Sequence, residues 1–227
     1  MVDKKILAQG AEAIIILSSN KNKILKKRIK KSYRISKIDE KIRKLRTRNE
    51  AKLLRKASEI IPIPKIIREN EKTKEIEMEF VEGEKLSENL NSFSLKKQIQ
   101  VCKKIGENIA KLHNENIIHG DLTTSNMILS EQENKKIKHK FKLKKEFNKR
   151  KLDSLYFIDF GLGFKSHKYE DKAVDLYLLK QAIEAKHFQN YKKLFSEIIK
   201  EYKNNSSDSE KVIERLKKVE IRRRYKK

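Results

Sequence analysis

His119-Gly120-Asp121-Leu122-Thr123-Thr124-Ser125-Asn126, followed farther along by Ile158-Asp159-Phe160-Gly161, decides how this chain is read. The first stretch places an aspartate and an asparagine five positions apart in a loop. Helical apolar periodicity precedes that loop, and Met127-Ile128-Leu129 reads as a strand after it. The second stretch sets another aspartate at the end of a strand running from Leu155 to Ile158. A lone His-x-Asp is common in surface loops. Joined to an asparagine at this spacing and to a strand-borne Asp-Phe-Gly, it becomes specific. The side chains are hard oxygen donors, the kind that Mg²⁺ and phosphate-bearing ligands require. In phosphoryl transfer Asp121 would accept a proton from, or orient, the attacking hydroxyl or water, and Asn126 and Asp159 would hold Mg²⁺ on the nucleotide phosphates.

The segments upstream read as a β-rich front lobe. Ile6-Leu7, Ala13 to Leu17 and Ile24-Leu25 are β-prone runs, and Ser18 to Asn22 has turn chemistry. Residues 36 to 57 read as a helix through Ile38, Ile42, Leu45 and Leu53, with Ser36 and Asp39 as a capping box. Pro62 and Pro64, the only prolines, break the chain before strands at Ile66-Ile67 and Ile76 to Val81. Beyond Gly83 the character changes. Leu95, Ile99, Cys102, Ile105, Ile109 and Leu112 hold one helical face, and Ala173, Leu176, Leu179 and Ile183 hold another. The fold class expected is α+β, a protein-kinase-like two-lobed fold with one long helix in the N-lobe and a reduced, mainly helical C-lobe. The lobes divide as 1–81 and 82–227. The C-lobe carries a Lys-rich insert at 130–154 and an Arg-rich tail, and a cleft between the lobes is the natural ligand site.

Composition narrows the partners. The chain has 227 residues and 57 Lys+Arg against 32 Asp+Glu, a formal net charge of +25. Charged residues reach 39%, against roughly 25% in ordinary domains. Such one-sided charge favours polyanions, with a Lys- and Ile-rich translation of an AT-rich genome as the bland alternative. The single cysteine, Cys102, excludes an internal disulfide framework and a Cys-based zinc site, and its place on the helical stripe reads as core. No apolar run approaches the roughly 18 residues of a membrane span, and the N-terminus lacks a signal-peptide profile. A cytoplasmic protein with no membrane partner is expected. The insert reads as a solvated segment, whereas Arg222, Arg223 and Arg224 read as polyanion contacts because guanidinium groups match phosphate geometry.

The front lobe supplies the rest of a phosphate site. Lys26 ends the Ile24-Leu25 strand, where a lysine can reach α- and β-phosphates, and Lys27 rivals it one residue away. Glu50 lies beside Leu53 and Leu54 on the long helix, and a charged residue flanked by apolar helix positions needs a partner.

A family resemblance then covers most of the chain. Gln9-Gly10-Ala11-Glu12-Ala13, the run from Lys26 to Arg34, Arg46-Thr47-Arg48-Asn49-Glu50-Ala51, the His119 to Asn126 loop and Glu170 to Tyr177 resemble the small atypical kinase/ATPase subunit of the KEOPS (EKC) complex. The resemblance implies ATP and Mg²⁺ as cofactors, residual Ser/Thr kinase activity, and a main role as an ATPase supporting threonylcarbamoylation of the tRNA adenosine beside the anticodon. It implies as partners the threonylcarbamoyl-transferase subunit, a small front-lobe subunit, and tRNA. Carried over, Lys26, Glu50, Asp121, Asn126 and Asp159 match catalytic positions. By the same resemblance Met78 would line the back of an adenine pocket, and the backbones of Glu79 and Val81 would hydrogen-bond the base. Gly10 and Ala11 lie in the phosphate-covering loop, where Gly10 is the sole glycine against three in ordinary protein kinases. Asp175 resembles the helix aspartate that braces the catalytic loop. His-Gly-Asp replaces His-Arg-Asp, and no Ala-Pro-Glu follows Gly161, so a peptide platform is poorly provided. The insert departs from the family. A stand-alone Ser/Thr protein kinase, a small-molecule kinase and a basic tRNA-binding subunit with a vestigial site are the other readings.

Overall fold

Short β-prone runs bounded by turns pair into the front lobe. In the computed structural model, which describes residues 5–19, 22–130 and 154–224, β1 (Lys5–Gln9), β2 (Ala13–Leu17), β3 (Lys23–Arg28), β4 (Ile66–Asn70) and β5 (Glu75–Glu79) form a five-stranded antiparallel sheet. Its order is β1-β2-β3-β5-β4, so β3 sits at the centre. Lys26 faces Ile15 on one neighbour and Ile76 on the other, which fixes its side in a fully paired strand.

The long helix α1 (Ser36–Ser58) connects β3 to β4. Its second half behaves as expected: Glu50, Ala51, Leu53, Leu54 and Ala57 are buried. Its first half does not. Ile38 and Leu45 are exposed, and the buried positions there are Asp39 and Thr47. The polar groups win that face because they are satisfied locally: Asp39 accepts from Arg43 Nε at 2.7 Å and from the Lys31 N–H at 3.3 Å, and Thr47 Oγ1 donates to Arg43 O at 2.8 Å. The capping box is likewise absent. Ile35 occupies the N-cap without a side-chain cap bond, because Asp39 turns to Lys31 and the arginines instead.

The back lobe is mainly helical. Its three-stranded sheet runs β6 (Glu84–Lys85), β8 (Met127–Ser130), β9 (Ser154–Phe157), and β7 (Ile117–Ile118) pairs with β10 (Phe164–Lys165). The helices are α2 (Leu86–Asn89), α3 (Leu95–Asn114), α4 (Tyr169–Lys186), α5 (Tyr191–Asn205) and α6 (Ser209–Arg224). Ser94 caps α3 by accepting the Lys97 N–H. From Cys102 onward the α3 stripe is buried, while Leu95 at its start is exposed. Cys102 is a core residue, and burial pushes its thiol up to about 12, which leaves it protonated and unreactive. Helices α3 and α5 pack so closely at Gly106 that a Cβ there would overlap the Ile198 carbonyl. None of the helices, among the described residues, is long and apolar enough to cross a membrane.

One expectation about the C-lobe changes, and another goes untested. Arg222, Arg223 and Arg224 are not a free tail but the last turn of α6, because the helix continues through them. All but the end residues of the insert at 130–154 lie outside the described residues. The two-residue strands β7 and β10 are too short for a period-based reading to find.

Gly106→Val should therefore destabilise the protein by more than about 2 kcal/mol, since overpacking against backbone has no flexible neighbour to yield. Ser36→Ala should stay within about 0.5 kcal/mol, since Ser36 makes no cap. Chemical denaturation of both variants checks the pair.

Candidate active site

Three elements bring their charges to one point. Lys26 on β3 donates to Glu50 Oε1 of α1 at 2.6 Å and to Asp159 Oδ1, just past β9, also at 2.6 Å. Lys26 is 7% exposed and Glu50 2%. Strand alternation sends Lys27 to the other face, where it pairs with Glu75 at 3.1 Å with its side chain half exposed. Alternation separates the two lysines, and the Glu50 carboxylate of α1 identifies Lys26 as the inward one. Burial works against the charged ammonium of Lys26, but the facing carboxylates of Glu50 and Asp159 outweigh it and raise its pKa. Burial likewise favours the neutral form of Asp159, and the Lys26 charge more than offsets it, so its carboxyl lies below the usual range.

Asp159 is held in a left-handed conformation, φ 63°, which a non-glycine residue adopts at a steric cost. Its Oδ1 also accepts the Gly161 N–H at 3.1 Å, and the adjoining strand is locked by the Ile158 N–H on Asn126 O at 3.0 Å. Asn126 in turn donates Nδ2 to Asp121 O at 2.9 Å and to Asp121 Oδ2 at 3.0 Å. Thus Asp121, Asn126 and Asp159 are joined through two short links.

A buried carboxylate fixes the loop from beneath. Asp175 on α4 accepts the His119 N–H at 2.8 Å and the Gly120 N–H at 2.9 Å. Gly120 has φ 78°, and a Cβ there would collide with the Leu162 carbonyl, so glycine is required in place of arginine. His113 contacts Asp175 Oδ2 at 3.4 Å through Nε2 and Tyr202 Oη at 3.0 Å through Nδ1. His119 contributes its ring as well, with Nε2 3.1 Å from Ile158 O.

The cleft beside this cluster encloses about 340 Å³. Leu7, Ile15, Ile24, Met78 and Ile128 give it apolar walls, and Glu79, Val81, Lys26, Asn126 and Asp159 also line it. The Glu79 N–H is committed to Lys65 O at 2.9 Å, so any bond from Glu79 to a base runs through its carbonyl oxygen. Gly10 and Ala11 sit in the β1–β2 turn, closed by the Gly10 N–H on Ala13 O at 2.9 Å, and not in the cleft wall. A wider concavity of about 750 Å³ lies among α4, α5 and α6, far from this cluster, with Tyr177, Phe195 and Arg223 in its wall.

Mg²⁺ fits the donor chemistry. Among the described residues there is no cluster of three or more His, Cys, Asp or Glu suited to an all-protein metal cage. Magnesium on a nucleotide needs less, one or two oxygens plus phosphate and water. Asn126 commits its Nδ2 to Asp121, and Asp159 commits Oδ1 to Lys26 and Gly161, which leaves Asn126 Oδ1 and Asp159 Oδ2 for an ion. The predicted nucleic-acid residues lie elsewhere: Arg222 pairs with Glu170, and Arg223 stacks over the Tyr177 ring at 5.8 Å.

Sequence reasoning overlooks Arg28, which reaches the other oxygen of Glu50 at 2.5 Å, and the His113–Tyr202 pair behind Asp175. Arg28 lies two residues beyond Lys26 on the same strand face, and that period is the signal that could find it.

Burial holds the His113 pKa below the ordinary histidine value, so the folded state keeps it neutral. The unfolded state binds the extra proton first, so stability should fall as pH drops below about 6.5. Denaturant titrations between neutral and mildly acid pH check this, and His113→Gln should flatten the slope.

Known proteins resemble this chain over most of its length. The RIO domain family matches residues 14–159. The KEOPS complex subunit Bud32 of Pyrococcus abyssi is 38% identical over 97% of this chain and 96% of its own length. The EKC/KEOPS complex subunit bud32 of Dictyostelium discoideum is 36% identical over 97% of this chain and 83% of its own. A probable bifunctional tRNA threonylcarbamoyladenosine biosynthesis protein of Methanobrevibacter smithii is 39% identical over 97% of this chain, and there the match spans 36% of the longer protein. Among solved structures, the Rio2 kinase of Chaetomium thermophilum, in an ADP/Mg²⁺–phosphoaspartate complex, superposes with a TM-score of 0.61 at 15% identity, covering 100% of this chain and 72% of that one. The two-lobed kinase-like fold and the full-length similarity place this chain in the RIO-domain family of atypical kinases, among the Bud32 subunits of KEOPS.

Proposed function

We propose that the chain is a Mg-ATP-dependent atypical Ser/Thr kinase that acts mainly as an ATPase within a KEOPS-type assembly, supporting threonylcarbamoylation of the tRNA adenosine beside the anticodon. One observation carries the nucleotide part: Lys26, Glu50 and Asp159 converge at the head of an apolar cleft whose floor holds Asn126 and, bonded to it, Asp121. The names of the relatives support the assembly and the tRNA pathway.

In this reading adenine lies against Met78 and Ile128, with the Glu79 carbonyl and the Val81 backbone as its polar contacts. Lys26 binds the α- and β-phosphates and Glu50 holds it in place. Asn126 and Asp159 are the Mg²⁺ ligands. Bound there, the ion would neutralise charge on the phosphate oxygens. Asp121 orients a water for in-line attack on the γ-phosphorus; the bond to the β-phosphate oxygen breaks, ADP leaves, and the water's proton ends on inorganic phosphate. Gly10 and Ala11 cover the phosphates, and the lobes meet at 81/82.

The ATPase emphasis rests on the short link after the second motif. Only residues 162–168 separate Gly161 from α4, and β10 occupies part of that link. A protein-kinase substrate platform has no chain to form it there. The transferase subunit and a small front-lobe subunit are the proposed protein partners, and the location is cytoplasmic. Arg222, Arg223 and Arg224 are proposed tRNA contacts, with Arg222 first released from Glu170.

Labelled ATP, supplied with and without transferase partner and tRNA, tests the reading. Free phosphate should predominate and rise with both additions; phosphoserine or phosphothreonine indifferent to them would make the chain a protein kinase in its own right. Asp121→Ala and Asp159→Ala should each abolish turnover, and Asp159→Ala should also weaken Mg-dependent nucleotide binding.

Replacing Arg222, Arg223 and Arg224 by alanine should weaken tRNA association. It should also reduce the slope of log K against log salt by roughly 0.7–0.9 for each phosphate that these arginines neutralise. An unchanged slope would remove the last turn of α6 from the tRNA interface.

A further inference from the structure

Glu50 serves two buried cations. Lys26 takes Oε1, and Arg28 takes Oε2 through Nη2 at 2.5 Å. Arg28 is itself 5% exposed, and its Nε has no hydrogen-bond partner among the described residues. Its other terminal nitrogen, Nη1, donates to Glu12 Oε2 at 3.3 Å. The second oxygen of Glu12 receives Arg46 Nη1 from α1. Glu12 stands in the β1–β2 turn, immediately after Gly10 and Ala11.

These contacts form one connected path. It starts in the turn, crosses Arg28 on β3 to Glu50 on α1, and ends at Lys26 and Asp159. Arg28 also reaches the phosphate end of the cleft: a Cβ on Gly161 would lie 3.4 Å from Lys26 Nζ and 3.5 Å from Arg28 Nη2. Backbone bonds hold the same turn at the same place, with the Ile29 N–H on Glu12 O at 3.0 Å and Lys31 Nζ on Ala11 O.

A carboxylate in a turn that covers polyphosphate would ordinarily repel its ligand. Here the Arg46 hydrogen bond keeps the Glu12 carboxyl below its usual range despite some burial, and the two guanidiniums balance its charge. Its remaining effect is mechanical. We infer that Glu12 and Arg28 are positioning residues that tie the β1–β2 turn to the Lys26–Glu50 pair, so that turn and lysine are set together over the phosphates. The inference rests on the nucleotide site proposed above and adds the means by which a turn with a single glycine keeps its place. Neither residue touches the reacting atoms.

Affinities of the full chain with Mg²⁺ for ATP and for adenosine separate the possibilities. Adenosine reports the base end only, whereas ATP also reports the turn. Glu12→Gln should weaken ATP about tenfold and leave adenosine within about twofold, and Arg28→Lys should show the same pattern. In the double variant the two effects should not multiply, since they break one path. A pure charge effect has the opposite sign, because removing the Glu12 carboxylate leaves two arginines unbalanced and should tighten ATP. Tighter or unchanged ATP binding in Glu12→Gln would overturn the inference. So would a parallel weakening of ATP and adenosine, or effects that multiply in the double variant. If Arg28→Lys does not fold, Arg46→Gln replaces it and should reproduce the Glu12→Gln pattern; ATP binding as in the unmodified chain would count against the inference. An unmodified chain that binds neither ligand would remove the nucleotide site itself, and the inference with it.

Discussion

The carboxylate of Glu50 is the constraint on which the rest of the active region depends. It is almost wholly buried, and each of its oxygens is taken by a cation that is itself buried. Removing one partner from such a group leaves an uncompensated charge inside the protein, at a cost of about 3–5 kcal/mol. The cluster therefore ties the long helix to the central strand. Because Lys26 also binds Asp159, it ties both to a segment that belongs to the back lobe. Replacing buried ion pairs by hydrophobic residues of equal volume is often neutral or stabilising, so the cluster's role here is to fix geometry between elements more than to add stability.

A second buried carboxylate organises the other side of the cleft. Asp175 accepts two successive backbone N–H groups from the His119–Gly120 turn, and His113 and Tyr202 stand behind it. Glycine at 120 follows from this packing, since its left-handed backbone and the Leu162 carbonyl leave no room for a side chain. Asp159 carries a conformational penalty in the same region, and the Lys26 and Gly161 contacts are what hold it there. Strain of this kind persists only where surrounding bonds over-determine a residue.

The parts legible in the sequence are those carried by spacing within a loop or along a strand. The Asp121–Asn126 interval, the strand-borne Asp159, the five β-runs and the stripe from Cys102 to Leu112 all follow from local period or turn chemistry. Lys26 against Lys27 is not decidable from the strand alone, because alternation names two faces without saying which is inward; α1 decides it through Glu50. The first half of α1 misleads for the opposite reason. Apolar residues at helical spacing predict burial, but satisfied polar side chains at Asp39 and Thr47 take the inner face and leave Ile38 and Leu45 in solvent. Arg28 escapes notice because it sits in a basic run from Lys26 to Lys31, where only its place two residues beyond Lys26 on the same strand face marks it out.

Charge and local geometry act on ligand choice at different ranges. The excess of basic residues, 57 against 32 acidic, acts over the whole surface and attracts polyanions without selecting among them. Selection requires local geometry. At the cleft that geometry is an apolar slot ending in a buried lysine, which suits a base joined to phosphates. Beyond Gly161 the chain passes through the short β10 pairing with β7 and enters α4 at Tyr169. The segment after the Asp159 motif is thereby used to close the back lobe. The cleft that a nucleotide would enter is left open by that closure, lined by Lys26, Asn126 and Asp159.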